Sequence, residues 1–403
     1  MACTRLRDPN VPQLLCGPVS IDGTGVPRYW ALVWRIQYMS GLADNTIYQS
    51  LRRVDQLYHH AEEMFGPGRL DQAISNLDFA DLDVALVGFF NRIVNRSDLD
   101  GAGQVKTWST AVRFVRDCCR LLAASAVSEI DRIELNLEHL HRSYQAIRPA
   151  QKQKNAALRA LPAGVLEDLY QIIGPHSQRN PFRSEDLRWR NFVLVLLMLH
   201  QGLRRGEAAI LPLDVVKSGF DKARGTDRFW MTVDRNPYEK SDSRYEPPGL
   251  KTSNAIRRLP LSSSVVEAIT TYQVNFRGKQ NHTFLLASQK DQPLALRSIN
   301  DVMGPLYNAL SPGAKRELTD ERFVDVIRPH DLRHTCAVVR LRQFMEEVGI
   351  GEELAHQKLR VFFGWSRTST MPLLYARSFY EDRIHDVWDN AFDARVEQIR
   401  GSK

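Results

Sequence analysis

The sequence has few cysteines, and none of them shows the spacing with which cysteines bind metal ions. The five cysteines are Cys3, Cys16, Cys118, Cys119 and Cys336. The adjacent pair at 118 and 119 is more consistent with a reduced helix than with a disulfide bridge. Proteins whose cysteines stay reduced are typical of the cytosol. We therefore expect a cytosolic protein, and no cluster of carboxylates or cysteines suggests a metal or a cofactor.

Long hydrophobic runs are also missing. The longest, FVLVLLML, covers only residues 192–199, whereas a transmembrane helix needs about 20 apolar residues. The first twenty residues contain Arg5, Arg7 and Asp8 but no apolar signal core. No internal repeat or low-complexity tract is visible. We therefore expect a chain that neither crosses a membrane nor is anchored to one.

Charge is present in a mild positive excess. The 54 lysines and arginines outnumber the 47 acidic residues, which gives a net charge of +7. Such an excess favours a polyanionic partner, although charge alone does not identify it. The 403 residues, of which 43% are hydrophobic, exceed what a single core usually accommodates, so two domains are expected.

The first part of the chain is predicted to be helical. Apolar residues recur at helical spacing in two segments: Ile47, Leu51, Val54 and Tyr58, then Trp108, Val112, Val115, Cys119 and Leu122. Arg52, Arg113 and Arg116 lie off these stripes. They are either ordinary solvent-facing charges or a basic surface presented to a phosphate backbone.

A basic segment follows this helical part. The stretch HRSYQAIRPAQKQKNAALRALPAG contains no acidic residue, and it includes Arg148, Lys152 and Lys154. It is either a plain solvated tether or a linker that lies along DNA. We therefore predict a helical domain over residues 25–147, a basic interdomain linker over residues 148–160 and a second domain over residues 161–403.

The second domain is predicted to be mainly α with one small antiparallel β-sheet. Helical patterns cover residues 166–174, 190–202 and 262–273, and helices continue nearly to the end. Strand-like runs at residues 227–239 and 255–261 are separated by a segment rich in turn formers. The fold class of the whole chain is thus mainly α.

Two short motifs in this domain carry cationic side chains. In QGLRRGEAAIL, Arg204 follows a turn, and Glu207 is placed to orient Arg204 or another arginine by a charged hydrogen bond. In GLKTSNAIRRLPL, Lys251 sits beside the predicted hairpin, where a mobile ammonium can act as a general acid. Taken singly, each motif is equally consistent with a common turn and a surface lysine.

The stretch RPHDLRHTCAVVR combines an imidazole and a guanidinium at a predicted helix start. Pro329 suits the first position of a helix, which places His330 and Arg333 on one face of its first turn. Free N–H groups there favour an anion, arginine matches phosphate oxygens, and histidine exchanges protons near neutral pH. The alternative is a capped helix with solvated charges.

A tyrosine occupies the last motif, FFGWSRTSTMPLLYARSFY. Ser369 or Thr370 is expected to cap a helix that begins near Pro372, with Tyr375 in its first turn. Among 12 tyrosines, one in an apolar context is ordinarily a core residue. Only its place in a larger pattern distinguishes it.

That pattern is an ordered succession of six residues: Arg204, Lys251, His330, Arg333, Trp365 and Tyr375. It resembles the tyrosine recombinase (phage integrase) family, whose signature is a Gly-Leu-Arg-x-x-Glu turn, a hairpin lysine, His-x-x-Arg, a Gly-His or Gly-Trp pair and a nucleophilic tyrosine. The resemblance covers about residues 160–385. The helical first domain looks like the family's core-type DNA-binding domain, and the second like its catalytic domain with a C-terminal helical tail.

The resemblance implies cutting and rejoining of DNA through a 3′-phosphotyrosine. Arg204 and Arg333 would bind the non-bridging oxygens, His330 would accept the proton of Tyr375, and Lys251 would protonate the 5′ oxygen, without ATP or metal. Trp365 replaces a frequent histidine, so it can donate one hydrogen bond but cannot shuttle a proton. Trp365 and Tyr375 are about one residue farther apart in the sequence than the family pattern predicts. This leaves Tyr380 as an alternative nucleophile.

The expected function is therefore site-specific recombination for the integration or excision of a mobile element or phage. Double-stranded DNA is the expected partner, with a dimer per site, a tetramer at synapsis and possible DNA-bending accessory proteins in a bacterial cytoplasm and nucleoid. A separate arm-binding domain is not expected. An apolar stripe in the tail packs on its own domain or on a neighbouring protomer: Ile384, Trp388, Phe392 and Val396.

Two alternatives remain open. A type IB topoisomerase-like enzyme would use the same chemistry to nick and close DNA without exchanging strands. A DNA-binding protein with a vestigial site would be expected to lack one of the arginines or the tyrosine.

Overall fold

The computed structural model of the protein describes residues 3–6, 8, 10–96, 101–123, 131, 134, 135, 138, 142, 159–223, 225–244, 247–250, 253–347 and 349–376. The chain divides into two compact units, Met1–Lys154 and Asn155–Lys403. The division falls within the predicted linker, whose residues 148–158 lie outside the described part. The domain limits of the sequence analysis stay a prediction.

The first unit consists of a two-stranded antiparallel sheet and a set of helices. Its elements are β1 (Cys3–Leu6), β2 (Gly17–Ser20), α1 (Tyr29–Tyr38), α2 (Asp44–Phe65), α3 (Arg69–Ser75), α4 (Phe79–Val94) and α5 (Gly101–Ala123). The helices were predicted, but the sheet was not. Each of its strands has only four residues, too few for a clear alternation of apolar and polar positions.

The core of the first unit lies between its long helices. The predicted apolar stripes of α2 and α5 are buried in one cluster, except for the partly buried Leu122. Trp34 of α1 meets Phe114 edge-on, with ring centroids 5.4 Å apart. Cys118 and Cys119 are free and buried in this cluster, as the sequence predicted for a reduced pair.

The second unit is mainly helical and contains a three-stranded sheet. Its elements are α6 (Ala163–Ile173), α7 (Glu185–Leu199), α8 (Arg205–Ala209), β3 (Lys217–Asp221), β4 (Thr226–Val233), β5 (Arg257–Leu261), α9 (Ser263–Thr271), α10 (Leu296–Ala309), α11 (Pro312–Arg322), α12 (Pro329–Arg342), α13 (Glu352–Phe363) and α14 (371–376). Short π-helical turns, Tyr272–Phe276 and Gln343–Glu347, extend α9 and α12.

The sheet has the order β3-β4-β5, and both pairs of neighbours are antiparallel. The sequence predicted β4 and β5 but missed β3. The sequence of β3, KSGFD, contains a glycine and alternates poorly, and Phe220 within it is exposed. Pairing with β4 therefore forms this strand more than its own residue preferences do.

Helix α7 forms the centre of the second unit. Every residue from Val193 to Leu199 is at most 8% exposed, so the helix is buried on all sides. This explains why the run FVLVLLML has no amphipathic period. Helix α12 and the end of α9 pack against α7, and the turn that follows α7 leads directly to Arg204.

Candidate active site

The turn after α7 brings Arg204 to the site. Gly202 has a φ of +59°, and a Cβ atom there would collide with the Phe363 ring. Glycine is required at this position both for the left-handed backbone and for the close approach. Buried Leu203 anchors the turn, and Arg204 then precedes α8 with its side chain 24% exposed.

Glu207 organises the charges of the site. Its carboxylate accepts hydrogen bonds from the backbone N–H of Arg204 at 3.0 Å, from Arg204 Nη1 at 2.6 Å and from Arg257 Nη2 at 2.8 Å. Arg333 Nη1 lies 3.7 Å from the same carboxylate. Burial raises the pKa of Glu207, but the hydrogen bond from Arg257 and the three guanidinium charges outweigh burial, so this pKa lies below its ordinary value. The carboxylate is thus ionised and holds the arginines together.

Arg257 belongs to this network, and the sequence analysis did not single it out. It is almost fully buried, and besides Glu207 it donates to the backbone oxygens of Phe362 at 2.7 Å and Ala255 at 2.8 Å. A signal was present in the sequence. Arg257 has the same strand parity as the inward-facing Leu259 and Leu261, and a charged residue in phase with core residues needs a buried partner.

Arg333 occupies the interior of the site. Its guanidinium donates to the backbone oxygens of Gly202 and, at 2.8 Å, of Phe363. It also lies 4.8 Å from the Phe363 ring centroid and 5.8 Å from that of Trp365. Burial, together with the charges of Arg204 and Arg257, lowers the pKa of Arg333 to about 9. At neutral pH the guanidinium remains charged. Two of its five N–H donors are used by backbone oxygens, so others can bind an anion such as a phosphate.

The first turn of α12 holds two predicted site residues at different depths. The sequence predicted that His330 and Arg333 lie on one face of this turn. His330 is exposed, whereas Arg333 is only 2% exposed and lies in the interior. The two residues thus differ in depth, and an anion-binding face shared by them stays a prediction. Helical spacing specifies the face of a residue but not the depth to which its neighbours bury it.

Tyr375 lies in α14. The hydroxyl of Ser369 accepts a hydrogen bond from the backbone N–H of Met371 at 3.3 Å, which supports the predicted cap. The helix begins at position 371, one residue before Pro372, so Tyr375 is its fifth residue and lies beyond the first turn. Tyr375 is 1% exposed. Burial raises the pKa of its phenol above the ordinary value, although the charge of Arg333 opposes this effect.

The partner of the Tyr375 hydroxyl is His334, a residue that the sequence analysis missed. Tyr375 Oη and His334 Nδ1 are 2.9 Å apart. His334 follows Arg333 directly in the chain, and its ring packs edge-on against His330 with centroids 4.4 Å apart. The i, i+4 spacing from His330 was the available signal, since such residues are neighbours on a helix.

Trp365 stacks against the ring of Tyr375. Gly364 ends α13 with a φ of +62° and approaches the backbone of Asn254 and Ala255 too closely for a side chain. The following Trp365 ring stacks between Phe363, at 4.7 Å, and Tyr375, at 5.7 Å between centroids. The two planes at Tyr375 differ by only 11°. The hydrogen bond from Trp365 to a phosphate oxygen stays a prediction.

The described structure thus brings together five of the six predicted site residues: Arg204, His330, Arg333, Trp365 and Tyr375. Lys251 lies outside the described residues, and so do Tyr380 and the tail. Within the part of the chain that is described, there is no group of three or more histidine, cysteine, aspartate or glutamate side chains that could hold a metal ion. No helix among the described residues is long and apolar enough to cross a membrane.

The arginines predicted to bind DNA lie in the first unit and differ in their surroundings. Arg52 is exposed. Arg113 and Arg116 both approach Asp117, at 3.3 and 3.8 Å, so one carboxylate partly compensates both charges. The predicted contacts of Arg148, Lys152 and Lys154 lie outside the described residues.

Comparison with known proteins identifies the chain's relatives. The family model described as the phage integrase family matches residues 166–380. No curated protein matches the sequence. Among solved structures, the chain is similar to the Tn1549 transposon integrase in complex with transposon right end DNA, with 15% identity over 88% of this chain and 97% of that chain and a TM-score of 0.46. It is also similar to XerA recombinase, with 15% identity over 88% and 98% of the two chains and a TM-score of 0.35. XerH site-specific recombinase bound to difH substrate shows 14% identity over 95% and 99%, with a TM-score of 0.45.

The family match covers more than half of the 403 residues, and the chain belongs to the phage integrase family. It is a tyrosine-type site-specific DNA recombinase.

Proposed function

We propose that the residues around Glu207 bind the scissile phosphate of DNA and that Tyr375 attacks it. The observation that carries this proposal is the charge balance of the network. Three guanidinium groups, those of Arg204, Arg257 and Arg333, surround the single carboxylate of Glu207. Two positive charges are left over, and the half-buried Arg204 is the one nearest to solvent.

This excess suits a phosphodiester in the transition state. Additional negative charge develops on the non-bridging oxygens as the phosphorus becomes five-coordinate, and fixed cations there lower the barrier. Arg257 is committed to Glu207 and two backbone oxygens. Arg204 and Arg333 therefore contact the phosphate, while Arg257 and Glu207 hold them in place.

In the proposed reaction, the Tyr375 oxygen forms a bond to phosphorus, and the bond from phosphorus to the 5′ oxygen breaks. The product is a 3′-phosphotyrosine and a free 5′-hydroxyl. His330 takes the phenolic proton, and Lys251 gives a proton to the leaving 5′ oxygen, a role that comes from the family resemblance. Attack by the 5′-hydroxyl of another strand reverses these steps and exchanges the strands.

The biological role proposed is integration or excision of a mobile element or phage, for which family membership is the support. Two protomers would occupy each DNA site and four would form the synapse, with or without DNA-bending proteins. The basic residues Arg52, Arg113, Arg116, Arg148, Lys152 and Lys154 would contact the DNA backbone. Such an enzyme would work in the bacterial cytoplasm, where its DNA lies.

The test is a reaction on plasmid DNA that carries two copies of the element's end sequence. Recombinant circles together with a covalent protein–DNA adduct are expected. Relaxation of supercoils with an adduct but without recombinants would favour a topoisomerase-like enzyme instead. Binding without any adduct would identify the site as vestigial.

A further inference from the structure

His334 is a buried ionisable residue hydrogen-bonded to Tyr375, and the proposed reaction gives it no role. It is 5% exposed, and its Nδ1 lies 2.9 Å from the hydroxyl of Tyr375. His330, the proposed proton acceptor, packs edge-on against the same imidazole. The nucleophile is therefore in direct contact with a histidine other than the one expected.

The chemistry of this contact depends on which partner carries the proton. Burial, together with the charges of His330, Arg159 and Arg333, lowers the pKa of His334 to about 3. His334 is therefore neutral at physiological pH, and its Nδ1 can accept a hydrogen bond when Nε2 carries the ring proton. Burial also raises the pKa of Tyr375, so the phenol keeps its proton and donates a hydrogen bond to Nδ1. A ring that is so difficult to protonate binds the hydroxyl without deprotonating it.

The surroundings of Tyr375 favour a resting arrangement over one that is ready for attack. Tyr375 is 1% exposed, and its hydroxyl is hydrogen-bonded to His334 instead of being open to a phosphate. One face of its ring is covered by Trp365, whose plane differs by 11°. Attack on phosphorus requires the hydroxyl to leave His334 and turn towards the arginines.

We propose that His334 is a positioning residue that holds Tyr375 in a recessed position as a protonated phenol, and that strand cleavage begins when Tyr375 is released from it. This inference rests on the proposed role of Tyr375 as the nucleophile. It assigns opposite tasks to two histidines of one helix: His334 restrains the tyrosine, and His330 serves the reaction after release.

Two substitutions at His334 separate this role from a general structural one. His334→Leu keeps a branched side chain of similar size but removes the hydrogen-bond acceptor. His334→Asn retains a polar group near the position of Nδ1. The matched control is His356→Leu, because His356 is another buried histidine of the same unit and lies on α13. Cleavage is followed in a single turnover on a nicked suicide substrate at saturating protein, and DNA affinity is measured separately.

His334→Leu is expected to form the covalent adduct about five-fold faster than wild type with unchanged affinity, because release no longer breaks a hydrogen bond. His334→Asn is expected to return the rate towards wild type, and His356→Leu to leave it unchanged. Slower cleavage by His334→Leu that His334→Asn restores would mean that His334 assists attack, which would overturn the proposal. Equal rates in all variants would overturn it as well.

A spectroscopic measurement covers the case in which His334→Leu folds poorly. Protein with ¹³C at the tyrosine Cζ atoms gives a Tyr375 signal, assigned by its loss in Tyr375→Phe. This signal is expected to shift in His334→Asn and again when an uncleavable DNA duplex binds wild type. A signal that moves in neither case would refute the restraint. If Tyr375→Phe still forms adducts, the proposed nucleophile is wrong, and the ¹³C shift still reports separately on the contact with His334.

Discussion

The arginines of the two units are used in opposite ways. In the second unit, Arg257 and Arg333 are buried and bound to backbone oxygens and to Glu207. In the first unit, Arg52 is exposed, and Arg113 and Arg116 have side chains that are 51% and 38% exposed. A buried cation is costly unless each of its donors has a partner, so its geometry is fixed. An exposed cation adapts to any phosphate, which suits binding that ignores base sequence.

The largest expected effect tests the nucleophile of the second unit. Tyr375→Phe should abolish covalent adducts on a nicked suicide substrate, because only the attacking oxygen is lost. Binding to the same DNA should remain, since the exposed cations of the first unit are intact. Tyr380→Phe is the matched control, and adducts that disappear in this variant but persist in Tyr375→Phe would move the nucleophile to Tyr380.

The next effect tests whether Arg333 stabilises the transition state. Arg333→Ala is expected to slow cleavage by on the order of 10² to 10³, the scale for the loss of one such donor. Arg333→Lys should recover only part of the rate, because an ammonium cannot replace the planar fork that reaches Gly202 and Phe363. The measurement is single-turnover cleavage at saturating protein. A variant that cleaves at the wild-type rate once bound would restrict Arg333 to holding DNA.

Glu207 tests the stability of the buried network. Glu207→Gln should lower the free energy of unfolding of the second unit by about 3 kcal/mol at pH 7, because it leaves buried guanidinium groups without their counter-charge. The folded-state pKa of Glu207 is depressed, so the stability it contributes is present above its unfolded pKa of about 4.5 and is lost as the pH falls through the folded value. The difference between wild type and variant, followed by denaturant unfolding, should therefore shrink below about pH 4.5. A difference that stays constant down to pH 3 would contradict the depressed pKa.

The smallest effect tests the exposed arginines of the first unit. Arg52→Gln should weaken binding to all DNA sequences similarly and reduce the slope of log affinity against log salt by about 0.9 if one phosphate contact is lost. Arg113→Gln should do less, because Asp117 already compensates part of the charge that Arg113 and Arg116 present to DNA. Titrations between about 50 and 200 mM salt measure both slopes. Unchanged slopes would show that these arginines are ordinary surface charges.

Much of the catalytic unit could be predicted from local patterns. The helices around α7 and the strands β4 and β5 follow from periodicity and turn chemistry, and these were confirmed. A cap at Ser369 or Thr370 was also predicted, and Ser369 accepts a hydrogen bond from the N–H of Met371 there. Strand β3 could not be predicted, because pairing with its neighbour outweighs its own weak preference.

By itself the sequence determined which residue types are present and in which order, and this order was sufficient to recognise the family through Arg204, Arg333 and Tyr375. Only the tertiary structure decided what these residues touch. The carbonyl that binds Arg333 belongs to Gly202, 131 positions away, and the hydroxyl that meets His334 is 41 positions away. Helical and strand periods encode the direction of a side chain but not its depth or its distant partner. Those depend on how the packed core brings separate segments together.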